Sequence, residues 1–179
     1  MSKLTGTKTE ANLQEAFAGE SMARNKYTYY ASQARKDGFE QTAEIILLTA
    51  EQEKEHAKLW FKLLHEGVPQ TTVNLAAAIA GEHEEWTAMY LRMAKEAREE
   101  GFDEIAVLFE GVAAVEREHE LRFTSLLASI SQGTVFTKEK EESWECGNCG
   151  HVHQGNSAPE KCPVCAHPKS YFRVKATNY

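Results

Sequence analysis

The segment Glu53-Lys54-Glu55-His56 recurs 63 residues later as Glu116-Arg117-Glu118-His119. Residues three positions apart lie on one face of an α-helix, about 5–6 Å from each other, so each copy can present a carboxylate and an imidazole to one metal ion. A single Glu-x-x-His on a glutamate-rich helix is usually a solvated surface, but two copies at equivalent positions of a repeat favour a site. Two such helices facing each other would hold two metal ions.

The repeat extends well beyond these two motifs. Residues 34–39 match residues 97–102 at the same offset of 63. The following helix repeats at that offset too, in the pairs Ala43 and Ala106, Ala50 and Ala113, Leu63 and Leu126, and Leu64 and Leu127. Ala18-Gly19-Glu20 matches Ala80-Gly81-Glu82 at an offset of 62, so one residue is inserted within that half. The pattern predicts a duplicated helix pair.

Four long segments with helical periodicity make up residues 1–134, which we expect to form one mainly α domain. A capping box at Thr7-x-x-Glu10 begins the first helix, and Asn74 is expected to cap the third. Phe39 and Phe102 begin the second and fourth. The first and last joins are very short, which makes the flanking helices antiparallel neighbours and predicts a four-helix bundle.

Two further carboxylates complete the ligand set that such a bundle needs. Glu20 and Glu82 lie at matching positions of the first and third helices, and Glu20 has apolar neighbours among which an unpaired carboxylate would be costly to bury. Carboxylate oxygen with some imidazole favours iron or manganese over zinc. Glu85 breaks the symmetry because Ala23 stands at the corresponding place; it is either a seventh ligand or an ordinary surface acid.

Two tyrosines near the motifs have two possible roles, and two histidines near them have no expected function. Tyr27 and Tyr90 can pack in the core or place their hydroxyls to orient carboxylates. His65 and His83 are expected to face solvent.

Residues 135–179 differ in character and contain every cysteine of the chain. Cys146-Gly-Asn-Cys149 and Cys162-Pro-Val-Cys165 form two C-x2-C turns, a strong signal for a tetrahedral four-sulfur metal site, and both zinc and iron accept this geometry. A module this small cannot bury enough core to fold unaided, so the metal should supply much of its stability. The charged run at residues 137–142 is interpreted as a solvated linker or an exposed strand edge.

The composition limits the classes of partner that the chain is expected to bind. The net charge is −7 and no basic block interrupts the acidic background, which disfavours nucleic acid and anionic membranes. The sequence shows no apolar leader and no run long enough to span a bilayer, so a cytoplasmic location is expected.

Together these features resemble the rubrerythrin family over the full length. The resemblance is carried by Glu20, Glu53-x-x-His56, Gly81-Glu82-x-x-Glu85, Met89-Tyr90, Glu116-x-x-His119, Cys146-x-x-Cys149-Gly150, Ala158-Pro159, Cys162-Pro163-x-Cys165, His167-Pro168 and Tyr171-Phe172. It implies a ferritin-like four-helix bundle followed by a small metal-stapled rubredoxin-like domain of strands and loops. Many members have proline after the tyrosine matching Tyr90, where this chain has Leu91, and that departure concerns only local helix shape.

The resemblance also implies a site and an activity. Its two bundle irons, oxo- or hydroxo-bridged when oxidised, would be bound by Glu20, Glu53, His56, Glu82, Glu85, Glu116 and His119, and a single iron by Cys146, Cys149, Cys162 and Cys165; zinc can replace that iron in recombinant protein. One iron of the pair is expected to exchange His56 for Glu85 on oxidation, with Tyr27 and Tyr90 assisting.

The reaction that the resemblance implies is reduction of hydrogen peroxide to water in defence against oxidative stress. Electrons would come from NAD(P)H through separate reductases or a rubredoxin, and pass through the cysteine-bound iron. The protein is expected to be an antiparallel homodimer. Two alternatives remain: a ferritin-like iron-oxidising or storage protein, which needs neither Glu85 nor the cysteines, and a bundle whose tail is a structural zinc ribbon.

Overall fold

Two helical hairpins precede a small three-stranded sheet in the computed structural model, which describes residues 3–178. The first hairpin consists of α1 (Lys8–Lys36) and α2 (Glu40–Leu64). The second consists of α3 (Thr71–Glu84), a π-helical turn (Glu85–Met89), α4 (Tyr90–Glu99) and α5 (Asp103–Ser131). The chain divides into two compact units between Pro69 and Gln70, so each hairpin belongs to a different unit.

The predicted capping box at the start of α1 is confirmed. The Glu10 backbone N–H donates to Oγ1 of Thr7 over 3.1 Å, and the Glu10 carboxylate accepts from the Gly6 N–H over 2.6 Å. The first bond satisfies a helix amide that has no partner within the helix. The second differs from the usual capping box, because Glu10 accepts from Gly6 and the Thr7 N–H donates to the Leu4 carbonyl.

The matched segments at 34–39 and 97–102 are matched helix ends. Gly38 and Gly101 adopt φ values of 86° and 84°, which side chains with a Cβ disfavour. The N–H of the following phenylalanine reaches back to the carbonyl of Ala34 in one copy and Ala97 in the other, each over 2.8 Å. This Schellman motif reverses the chain within a few residues, and the predicted antiparallel pairing of each hairpin is confirmed.

Alanines form the contact between the helices of each hairpin. The fully or nearly fully buried residues of the two hairpins are Ala31, Ala43, Ala50, Ala57, Ala94, Ala97, Ala106 and Ala113. Larger apolar side chains such as Leu48 and Leu108 are 61% and 67% exposed. Small residues at this contact let the two helices approach closely, which brings together the turns of each hairpin that carry the predicted ligands.

The third helix differs from its prediction in two ways. It begins at Thr71 with Gln70 as the N-terminal flanking residue, three residues before the expected cap at Asn74, because Gln70 is already extended (φ −64°, ψ 157°) directly after Pro69. It also does not continue as a regular α-helix, since the π-helical turn interrupts it after Glu84.

The C-terminal sheet contains β1 (Thr137–Cys146), β2 (Val152–Ser157) and β3 (Phe172–Val174), with a 3-10 turn (Lys169–Tyr171) before β3. The strand order is β2-β1-β3 and both pairings are antiparallel. The charged run at 137–142 is therefore strand, with a register shift between Thr137 and Glu142. The buried core of the sheet is Trp144, Cys146, Ala158, Cys162 and Phe172. Within residues 3–178, no helix combines the length and apolar character of a membrane span.

Candidate metal centres

The first hairpin brings Glu20, Glu53 and His56 together. Nδ1 of His56 lies 2.8 Å from a carboxylate oxygen of Glu53 and 3.8 Å from one of Glu20. Glu53 and His56 share a face of α2 because they are three residues apart, and Glu20 faces them from α1. One donor atom from each residue lies within 4.8 Å of the other two, as metal coordination requires.

The second hairpin repeats this arrangement with Glu82, Glu116 and His119. Nδ1 of His119 lies 2.6 Å from Glu116 and 3.5 Å from Glu82. The two groups differ in exposure, because the side chain of His56 is 53% exposed and that of His119 only 34%. The six residues that the repeat predicts as ligands thus lie in two groups, each within one compact unit.

Crowding of negative charge supports a cation in these groups. A side-chain hydrogen bond with Glu53, followed by desolvation and the charge of Glu53, raises the pKa of Glu20, against the lowering effect of His56. Carboxylates placed this closely repel each other unless a proton or a cation lies between them. A set of two carboxylates and one imidazole fits iron, so the two groups fit two irons.

Glu85 and Tyr90 lie close to the second group. Desolvation and then the charges of Glu116 and Glu82 raise the pKa of Glu85. Desolvation and then the charge of Glu85 raise the pKa of Tyr90. Glu85 is not a member of either three-donor group among the described residues, so its role as seventh ligand stays a prediction.

The π-helical turn explains the change in offset between the repeats. The Tyr90 N–H donates to the carbonyl of Glu85, five residues back, and this wider turn accommodates one extra residue. Glu20 and Tyr27 are seven residues apart in α1, whereas Glu82 and Tyr90 are eight apart. The turn therefore keeps Tyr90 on the face of Glu82. Tyr27 is half-buried, with its ring 6.2 Å from that of Tyr30.

His83 has a partner that the sequence did not predict. Its side chain is 57% exposed, yet Nδ1 lies 3.1 Å from the Glu120 carboxylate, which also accepts from the Trp86 indole. No periodicity or motif distinguished Glu120 from the other glutamates of α5. The one sequence signal near this cluster was the change of offset between the two repeats.

The four cysteines form the third group. No disulfide joins them, and the sulfur separations are 3.7 Å between Cys146 and Cys165 and 3.6 Å between Cys149 and Cys162. Metal–sulfur bonds of about 2.3 Å in a regular tetrahedron separate the sulfurs by about 3.8 Å, whereas a disulfide needs about 2.05 Å. The cluster fits one Fe(Cys)4 centre.

Backbone groups and neighbouring thiols set the electrostatics of this cluster. The His167 backbone N–H lowers the pKa of Cys165. The His151 backbone N–H lowers the pKa of Cys149. Desolvation and hydrogen bonds with the other three thiols outweigh this effect and raise the pKa of Cys149 to about 12. Four thiolates cannot share this space without a cation, so a metal that binds there must displace their protons.

The chain matches two family models. The model described as rubrerythrin matches residues 11–73 and again 73–146, so the helical repeat is matched copy by copy. The model described as the rubredoxin-like domain of rubrerythrin matches residues 144–173, which include all four cysteines.

Full-length relatives agree with these models. The chain is 49% identical to a rubrerythrin of Porphyromonas gingivalis over 98% of its own length and 94% of the relative's. It is 47% identical to a rubrerythrin of Nitratidesulfovibrio vulgaris over all of both chains. A solved structure of nigerythrin in a mixed-valence state is 31% identical, with 97% of this chain and 90% of that chain covered and a TM-score of 0.35.

Proposed function

Because the chain belongs to the rubrerythrin family, we propose that it is a non-haem diiron peroxidase that reduces hydrogen peroxide to water. The observation that carries the proposal is the combination of two carboxylate–histidine groups with one four-cysteine cluster. Reduction of one peroxide consumes two electrons and two protons and releases two waters. The two carboxylate–histidine groups would hold a ferrous pair that could supply both electrons, and the four cysteines would hold an iron that could replace them one at a time.

The two groups would hold the two irons of one dinuclear centre. Glu20, Glu53 and His56 provide one set of ligands, and Glu82, Glu116 and His119 provide the other. Glu85 adds a carboxylate to the second helix pair, where desolvation and then the charges of Glu116 and Glu82 raise its pKa. A cation beside Glu85 would relieve that repulsion, which favours a ligand over a surface acid.

His56 and Glu85 would alternate as ligands when the centre changes oxidation state. A carboxylate is the harder ligand and suits the ferric ion, whereas the imidazole suits the ferrous ion.

Tyr90 would act as a hydrogen-bond donor beside the centre. Desolvation and the charge of Glu85 raise the pKa of its phenol, so the hydroxyl keeps its proton at neutral pH. It can then orient a ligand carboxylate or donate a hydrogen bond to bound peroxide. Tyr27 occupies the matching place on the first hairpin and is proposed to act likewise.

The electron source lies outside the helical domain in this proposal. NAD(P)H would deliver electrons through a separate reductase or a rubredoxin to the cysteine-bound iron. An antiparallel homodimer in the cytoplasm is the proposed setting. The domain boundary proposed at residues 134 and 135 falls between the end of α5 at Ser131 and the start of β1 at Thr137.

An anaerobic peroxide titration tests the proposal. Natively purified protein should contain iron in all three groups, and the visible band of the reduced cysteine site should return when peroxide is added and bleach again with reductant. Zinc in the cysteine site of that protein would contradict an electron-transfer role. Iron uptake without peroxide consumption would instead support a storage protein.

Replacement of Glu85 tests the ligand exchange. Glu85→Ala should keep both bundle irons, because three donors remain in each group, yet slow peroxide turnover at least tenfold. Glu84→Ala is the matched control, since Glu84 is exposed and its removal changes the charge equally. Equal turnover in the two variants would contradict the exchange.

A further inference from the structure

A side-chain cluster on the second hairpin is centred on Glu120. Its carboxylate accepts a hydrogen bond from Nε1 of Trp86, and its two oxygens lie 3.1 and 3.2 Å from Nδ1 of His83. The His83 and Trp86 rings meet edge to face at 5.5 Å, and the Arg117 guanidinium lies 5.9 Å from the centre of the Trp86 ring. The indole nitrogen can only donate, so its bond depends on an acceptor such as Glu120.

Glu120 contacts residues on both sides of Glu85 in the sequence. His83 is the penultimate residue of α3, and Trp86 is the second residue of the π-helical turn. The hydroxyl of Thr87 adds a bond to the carbonyl of His83. On the other helix, Glu120 directly follows His119. Its contacts therefore connect the π-helical turn to the segment of α5 that carries a predicted iron ligand.

The first hairpin provides an internal comparison, and both of its helices lie within the described residues. Ser21 and Arg24 stand where His83 and Trp86 stand at the offset of 62, and Ala57 replaces Glu120 at the offset of 63. There α1 runs as an uninterrupted α-helix from Lys8 to Lys36, and Ala23 replaces Glu85. The contacts of Glu120 with Trp86 and His83, here called the clamp, thus occur in the hairpin that also has the π-helical turn and the extra carboxylate. All three features are absent from the other hairpin.

We propose that Glu120 is a positioning residue, which holds the π-helical turn in place through Trp86 and His83 and so keeps Glu85 on the helix face near Glu82 and Glu116. An inserted residue cannot leave a helix; the wide turn can only move along it. Each residue that the turn passes rotates by about 100° relative to the rest of the helix. A shift of the turn would therefore swing Glu85 away from its neighbours. The inference rests on the proposed function only in treating Glu85 as an iron ligand.

Hydrogen exchange on the full-length, iron-loaded protein tests the clamp itself. Peptides covering residues 83–93 should exchange at least tenfold faster in Glu120→Ala, with a smaller increase in Trp86→Phe, which keeps a ring but loses the donor. Glu120→Gln keeps an acceptor oxygen and should restore slow exchange. Glu118→Ala removes the same charge from an exposed position of α5 and should change nothing. Unchanged exchange in Glu120→Ala, or in Trp86→Phe if the former does not fold, would overturn the proposal.

A spectroscopic measurement separates positioning from simple stabilisation. The visible and Mössbauer spectra of the oxidised iron pair in Glu120→Ala should shift toward those of Glu85→Ala, and Glu120→Gln should retain the unmodified spectra. Faster exchange with unchanged spectra would mean a structural role only, and would overturn the positioning of Glu85. Absence of peroxidase activity in the unmodified protein would refute the proposed function, whereas the exchange result would still decide whether the clamp exists.

Discussion

Trp144 should control how long the cysteine module keeps its metal. The side chain is fully buried, and its indole N–H donates to the Gly155 carbonyl over 2.9 Å. Replacement of a buried tryptophan by alanine costs about 3–5 kcal/mol. A module of this size has little core beyond Trp144 and Phe172, so this loss should destabilise the loaded state directly. If metal leaves through opening of the module, release should accelerate about 10²–10⁴-fold, at about 1.4 kcal/mol per factor of ten.

The assay is the first-order loss of the cysteine-site absorbance after full-length loaded protein is mixed with excess chelator. Trp144→Phe keeps a ring but leaves the Gly155 carbonyl without its donor, which costs about 1–3 kcal/mol and should accelerate release about 5- to 150-fold. Val164→Ala is the control, because Val164 adjoins Cys165 but is 69% exposed, and such surface changes stay within about 0.5 kcal/mol. If Trp144→Ala releases metal no more than threefold faster than Val164→Ala, this packing argument is wrong.

Two further sets of substitutions test backbone strain in the cysteine turns and packing between the helices. Ala166 follows the second cysteine turn with φ 63°, and Gly150 follows the first with φ 76°. Ala166→Gly should slow metal release a few-fold. The reason is that relief of about 1–2 kcal/mol of backbone strain exceeds the entropy cost of about 0.4–1 kcal/mol. Gly150→Ala should do the reverse, because nothing lies within 4 Å of the added Cβ and only the strain remains; equal release rates in the two variants would contradict this. Packing is tested by Ala43→Leu and Ala106→Leu, because both alanines are 0% exposed. Each variant should lower the free energy of unfolding by about 1–3 kcal/mol through overpacking, as measured by chemical denaturation followed by circular dichroism. The control Ala11→Leu is at an exposed position and should not lower it.

Features set by local chemistry were predictable from the sequence. The Thr7 capping box, the glycine stops at Gly38 and Gly101, and the antiparallel hairpins follow from residue types and spacing over fewer than ten positions. The proximity of the two sets of three donors was predictable for a related reason, since Glu-x-x-His places two donors on one helix face and the matched Glu20 and Glu82 add a third from the other helix. The cysteine cluster follows from the two C-x2-C turns.

Features set by contacts between distant positions were not predictable in the same way. The offset of 62 before the insertion and 63 after it showed that a residue had been added, but not whether a loop, a bulge or a wide turn absorbed it. The bond between Trp86 and Glu120 joins residues 34 positions apart, and α5 contains several glutamates of equal helical character. The expected cap at Asn74 was wrong because an extended Gln70 after Pro69 begins a helix without a side-chain cap.

The wide turn also limits how the two helix pairs can differ in function. A substitution alone could have placed a carboxylate at position 23 or at position 85. It would not have changed the number of residues between the predicted ligand glutamate and the tyrosine that follows it. The insertion adds a residue between Glu82 and Tyr90 while the π-helical turn keeps both on one face. The second hairpin therefore gains Glu85 without losing Tyr90. A π-helical turn is rare, and we expect the Glu120 contacts to hold this one in place. Loss of the Glu120 contacts should consequently affect Glu85 more than the three donors Glu82, Glu116 and His119, whose positions are fixed by the alanine contact and the Glu-x-x-His spacing.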